Sequence, residues 1–232
     1  MNTKTNLVTG IICYIVSVFL ICYYLILEFS VFDMTSPVDR LKIILIIIGM
    51  MYLGSYFLKK TDLKNVSHLP KINMRIWFTL YSIMLLNLTL FDKYFGRGVT
   101  LNISDSNQIK DYLQLNFNII PFATINNYIL ALKNHNLSDI NFIYNIFGNL
   151  LAFMPMALFL PREFKKIDKW YKFFLLTSGI IICIEGMQML TLSGSFDIDD
   201  YILNITGAML LYIAVNNKFI KKYIDKCIYL KY

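Results

Sequence analysis

Residues 171–191 read YKFFLLTSGIIICIEGMQMLT, an apolar run interrupted by Glu185 and, one helical turn later, Gln188. The run is about as long as the roughly 20 helical residues needed to cross a bilayer's hydrocarbon. A carboxylate at mid-span costs about 2.5–3.5 kcal/mol on insertion scales, so it ordinarily faces a partner, a cavity or a substrate. Five other apolar stretches, 7–27, 41–58, 74–91, 142–160 and 201–215, repeat the pattern with charges only at their ends, Lys42 and Arg75. The expectation is an all-α, multi-pass transmembrane bundle of about six spans.

Composition agrees. Of 232 residues, 57% are hydrophobic and only 16% charged, and the mean hydropathy is +0.55; soluble domains carry about a quarter charged residues. The first stretch lacks a small-residue cleavage site after Leu27, so it reads as an uncleaved span. The net charge of +7 is not a nucleic-acid signature. With an inside N-terminus, sixteen of the 22 basic residues fall on one side, as Lys4 and the clusters Lys59–Arg75, Arg162–Lys172 and Lys218–Lys231. That bias predicts both termini in the cytoplasm. The expected location is the bacterial cell membrane. Cys13, Cys22, Cys183 and Cys227 form no C-x-x-C pair, and His68 and His135 are isolated, so no metal or cofactor is expected.

Four segments follow. Residues 1–91 form a three-helix scaffold, 92–140 an outer loop, 141–215 a three-helix core and 216–232 a basic cytoplasmic tail. The loop holds turn signals at Gly96-Arg97-Gly98 and Ser104–Asn107, and an apolar re-entry at Asn118-Ile119-Ile120-Pro121-Phe122. Ile125, Tyr128, Ile129 and Leu132 then recur at helical spacing. They suit an amphipathic helix on the outer leaflet or one packed on the bundle.

Asn145 and Asn149 share one helix face, as do Glu185 and Gln188. Asn204 lies one turn into the last span. Counting about 1.5 Å per residue from the outer helix ends puts Asn149 and Glu185 roughly 10–12 Å deep. The same count puts Asn145, Gln188 and Asn204 roughly 6 Å deep. A shared outward cavity accounts for this layering. Interhelical hydrogen bonds account for single amides, at about 0.6 kcal/mol each, but poorly for a carboxylate without a basic residue at its level. Asp197, Asp199 and Asp200 precede the last span, where one of them caps it. Pro155 interrupts its helix, and Gly207 permits close backbone approach.

These residues resemble the VanZ-like family of bacterial membrane proteins over roughly 112–212. Asn118-Ile-Ile-Pro-Phe122 is similar to the family's N-L-I-P-F stretch. Asn145-Ile-Phe-Gly-Asn149, with Phe153-Met-Pro155 and Leu160-Pro161, resembles its N-x-x-G-N-x-x-x-F-x-P helix. Ile184-Glu185-x-x-Gln188 resembles its I-E-x-x-Q helix, and Phe196–Asp200 with Asn204-x-x-Gly207 its closing block. Gly194 stands where many relatives have Arg, removing an outer cationic contact. Ala157 and Leu211 replace glycines.

The resemblance implies a cell-envelope role, since the founding member is associated with low-level teicoplanin resistance. The expected activity is binding of a membrane lipid or lipid-linked cell-wall precursor, altering glycopeptide susceptibility. The candidate ligand residues are Asn118, Asn145, Asn149, Glu185, Gln188, Asp197, Asp200 and Asn204. An intramembrane enzyme with Glu185 as acid or base is an alternative, although no nucleophile–base pair accompanies it. A lipid transporter is another, although the inner halves of the later spans are nearly devoid of polar residues.

Overall fold

The computed structural model describes residues 3–30, 35–61, 63, 66–91, 106–134 and 139–230. The turn signals at 96–98, Ser104-Asp105 and His135 lie outside them. The described chain comprises α1 (Thr3–Phe29), α2 (Pro37–Leu58), α3 (Leu69–Leu86, continued by a π turn Asn87–Phe91), α4 (Ser106–Leu115), β1 (Phe117–Asn118) and α5 (Ala123–Lys133). There follow α6 (Asp139–Ala152), α7 (Met156–Glu163), α8 (Trp170–Leu190), β2 (Phe196–Asp197), α9 (Ile198–Asn216) and α10 (Lys218–Ile228).

Among the described residues, six helical segments are long and apolar enough to cross a membrane: Thr3–Phe29, Pro37–Leu58, Val66–Phe91, Tyr144–Glu163, Trp170–Leu190 and Ile198–Asn216. The fold is thus an all-α array of membrane-span-like helices. It divides into two compact units, Met1–Leu88 with Lys218–Tyr232, and Thr89–Asn217.

In the first unit α1, α2 and α3 pack around Tyr24, Ile47, Met51 and Met74. Ser36 caps α2 by accepting from the Asp39 N–H (3.2 Å), and Pro37 follows at the first turn, where a missing N–H costs nothing. A buried polar network ties the three helices together. Asn73 donates to the Met51 carbonyl (3.0 Å) and Ser55 Oγ (2.8 Å), while Tyr14 OH donates to Asn73 Oδ1 (3.0 Å).

Asn73→Ala should therefore lower stability by about 1–2 kcal/mol, the scale of a few interhelical bonds in a membrane protein. A melting curve identical to wild type in detergent would contradict it. Of the two glycines of α2, Gly54 lies against the Tyr14 ring, where a Cβ would come within 2.9 Å, whereas Gly49 faces open space.

Glu28 and Arg40, at span ends where water is expected, are both buried and pair at 3.6 Å. Glu185 is therefore not the sole buried charge of the chain. Pairing is what permits it, because each ion's lost hydration is offset by the other.

In the second unit α9 is central and packs against α6, α7 and α8 around Phe153, Ala157, Phe173, Ile181 and Ala208. Pro155 splits the fourth span into α6 and α7. The Leu151 carbonyl, which Pro155 cannot bond, takes the Met154 N–H instead (3.2 Å). Pro161 likewise frees the Ala157 carbonyl, which Asn216 Nδ2 satisfies from α9 at 3.1 Å.

Candidate functional site

The expected re-entry stretch and the closing acidic block, 79 residues apart, meet as a parallel pair. Phe117 stands opposite Phe196 and Asn118 opposite Asp197. The Phe196 N–H donates to the Asn116 carbonyl (2.9 Å), and the two phenylalanine rings stack at 5.4 Å. Tyr112 OH bonds the Gly194 carbonyl, at the position where many relatives are expected to carry Arg.

Each aspartate then has its own task. Asp197 caps α9 by accepting from the Asp199 N–H (2.9 Å). Its carboxylate also accepts from Asn118 Nδ2 (3.1 Å) and Thr124 Oγ1 (2.6 Å). Asn118 in turn accepts the Ile120 N–H (3.0 Å), which closes the turn. Phe122, at the start of α5, is left-handed (φ 64°) and has no side-chain cap of its own. The missing acceptor comes from Asp199, 0% exposed, which takes the N–H groups of Phe122 and Ile125. A helix start capped from another helix is thereby locked to it.

Asp200 accepts from Asn149 Nδ2 and so joins α9 to α6. Tyr128 on α5 faces the same acids. Burial first, and then the charges of Asp200 and Asp197, push its phenol above the ordinary value. It stays a hydrogen-bond donor at neutral pH.

On α8, Glu185 and Gln188 are each 4% exposed and share the buried face with Ser178, Ile181 and Ile184. Gln188 Nε2 donates to the Thr89 carbonyl (2.8 Å), and its own carbonyl takes the Ser193 N–H (2.9 Å). Two contacts fix the register of α8 against the antiparallel α9: Ser178 Oγ with Tyr201 OH at 3.1 Å, and the Phe173 and Tyr212 rings at 4.5 Å.

Counted from these, Glu185 stands level with β2 and the first turn of α9, and Asn204 stands near the level of Ser178, roughly 10 Å away along the bundle. The layering expected from helix lengths thus shifts by about three turns for Asn204. The reason is β2, which descends alongside α8 before α9 begins, so the two helices do not start at one level. Asn149 reaches back toward the β2 end to meet Asp200, as side chains lean toward a helix N-terminus. Asn145, one turn nearer that end, is exposed. Asn204 is buried, and its Oδ1 has no hydrogen-bond partner among the described residues.

The structure therefore joins Asn118 to Asp197 and Asn149 to Asp200, and sets Glu185 at their level. Gln188 turns to Thr89. Thr124 and Tyr128 belong to the cluster but lie in no motif, and only their nearness in sequence to Asn118 could have suggested them; Asp199 lies within the closing block but was expected there only as a cap of the last span.

A VanZ/LLP1 family model matches residues 78–220. The chain belongs to the VanZ/LLP1 family. The match reaches beyond the four motifs to include the second half of α3 and the start of α10. No curated protein and no solved structure matches the chain. In this VanZ/LLP1 protein, three of the four motifs are directly bonded to one another, through Asn118–Asp197 and Asn149–Asp200, and the fourth carries Glu185 at their level.

Proposed function

We propose that this VanZ/LLP1 protein resides in the bacterial cell membrane with both termini cytoplasmic and the β2 end of its Thr89–Asn217 unit facing outward. There it binds the headgroup of a membrane lipid or lipid-linked cell-wall precursor and so alters susceptibility to a teicoplanin-type glycopeptide. The observation that carries this reading is the buried Glu185 at the level of the half-exposed Asn149–Asp200 pair. A deep carboxylate in a membrane span ordinarily serves a ligand or a partner.

The chemistry of the end narrows the ligand. Glu185, Asp197, Asp199 and Asp200 gather there, and like charges repel a phosphate. The hydroxyl, amide or amine donors of a headgroup suit such an end, with Glu185, Asp200, Asn145 and Asn149 as the candidate contacts.

Orientation is tested by labelling. In a cysteine-free background, Asn127→Cys should react with an impermeant maleimide on intact cells and Lys165→Cys only after lysis. The reverse pattern would invert the protein in the membrane. Function is tested with Glu185→Gln, which keeps shape and hydrogen bonding but cannot ionise. It should insert and melt like wild type while teicoplanin protection disappears. Full protection from a normally expressed variant would refute an ionisable role for Glu185.

A further inference from the structure

The segment marked by composition as a basic tail is a helix, and its two faces are sharply divided. At about 100° per residue, Phe219, Ile220, Tyr223, Ile224, Cys227 and Ile228 of α10 occupy one half of the wheel. Lys218, Lys221, Lys222, Asp225 and Lys226 occupy the other. Much of the apolar half is uncovered by protein: Phe219 is 83%, Tyr223 70% and Ile220 46% exposed.

The location of α10 is also set. Lys59, the residue that ends the α2 span, donates from Nζ to the Tyr229 (2.9 Å) and Leu230 (3.1 Å) carbonyls. These carbonyls follow the C-terminal end of α10, where helical acceptors otherwise lack donors. The bond holds α10 at the level where a span leaves the hydrocarbon. At its other end a single extended residue, Asn217 (ψ 138°), separates it from the α9 span.

A helix with an uncovered aromatic edge, held where spans end and carrying four lysines against one aspartate, has one matching surface within reach. We propose that α10 lies in the membrane–water interface, sinks Phe219, Ile220 and Tyr223 to the acyl boundary, and gathers anionic phospholipid headgroups with Lys218, Lys221, Lys222 and Lys226. The helix is then a second lipid-binding element, chemically opposite to the acidic β2 end and independent of it.

Full-length protein in nanodiscs of phosphatidylcholine with phosphatidylglycerol tests this. Single spin labels at Phe219→Cys and Tyr223→Cys should collide with oxygen and be shielded from a water-soluble nickel chelate, and a label at Lys222→Cys should show the opposite. Replacing the four lysines by glutamine should leave melting unchanged and lower the preference for phosphatidylglycerol over phosphatidylcholine at least about threefold. Nickel access at 219 and 223 equal to that at 222 would overturn the proposal. So would dipolar broadening between labels at 219 on neighbouring molecules, which would make the face a contact between copies. An unchanged lipid preference in the lysine variant would overturn the headgroup role.

Discussion

Gly207→Ala should prevent the Thr89–Asn217 unit from reaching its native packing. A Cβ at this position would lie 1.7 Å from the Leu150 carbonyl oxygen, an atom of the α6 backbone. Carbon–oxygen contacts between helices settle at about 3.3–3.6 Å, so α9 would have to withdraw by more than about 1.5 Å. No rotamer can absorb this, because the opposing atom is main chain. Withdrawal would also stretch the Asn149–Asp200 bond beyond useful length. Overpacking usually costs about 1–3 kcal/mol and occasionally more; a backbone clash of this depth belongs at or above the top of that range. Gly148→Ala and Gly186→Ala are the controls, since nothing lies within 4 Å of either added methyl. They should be neutral or gain up to about 1 kcal/mol from helix propensity. Wild-type melting and yield for Gly207→Ala would show that α6 and α9 do not touch as described.

Asp199→Ala should be nearly as damaging, by a different route. The buried carboxylate accepts two N–H groups at the start of α5, from Phe122 and Ile125. Removing it leaves both donors without that acceptor, and each one that water does not reach costs about 1–3 kcal/mol. Asp199→Asn should rescue little. An amide offers one acceptor oxygen and turns two donors toward the same site, so one N–H meets a donor instead of an acceptor. Faster hydrogen exchange at Phe122 and Ile125, together with a loss of about 2–4 kcal/mol, is the expected result for both variants. Unchanged exchange at those two amides in Asp199→Ala would disprove capping from α9.

Hydropathy made six spans readable, because each needs only a run of apolar residues of sufficient length. Helical periodicity likewise placed Asn145 with Asn149 and Glu185 with Gln188. What it could not supply was the level at which α9 begins. That level depends on β1 and β2, two residues each and far apart in sequence, too short to leave an alternating pattern. Depth counted from Asp200 takes every helix to start at one level, which sets Asn204 beside Gln188 rather than near Ser178. One of the three aspartates was expected to cap the last span, and Asp197 does so; no spacing marks Asp199 as the cap of a different helix. Phe122, the partner of Asp199, lies 77 residues earlier, and nothing local to either residue announces the other. The division of α10 is present in the spacing of Phe219, Ile220, Tyr223 and Ile224, although its lysines taken by composition suggest only a charged tail.

Capping from α9 also sets an order of events during synthesis. The start of α5 emerges from the ribosome with its donors open and must wait for residue 199 before they are closed. At about 5–20 residues per second, those 77 residues correspond to a delay of about 4–15 s. Over that interval the Ile119–Phe122 turn is held by nothing from α9, and an arrested chain ending before Asp197 would stay in that condition. A helix made late is therefore the one that completes a structure begun 77 residues earlier.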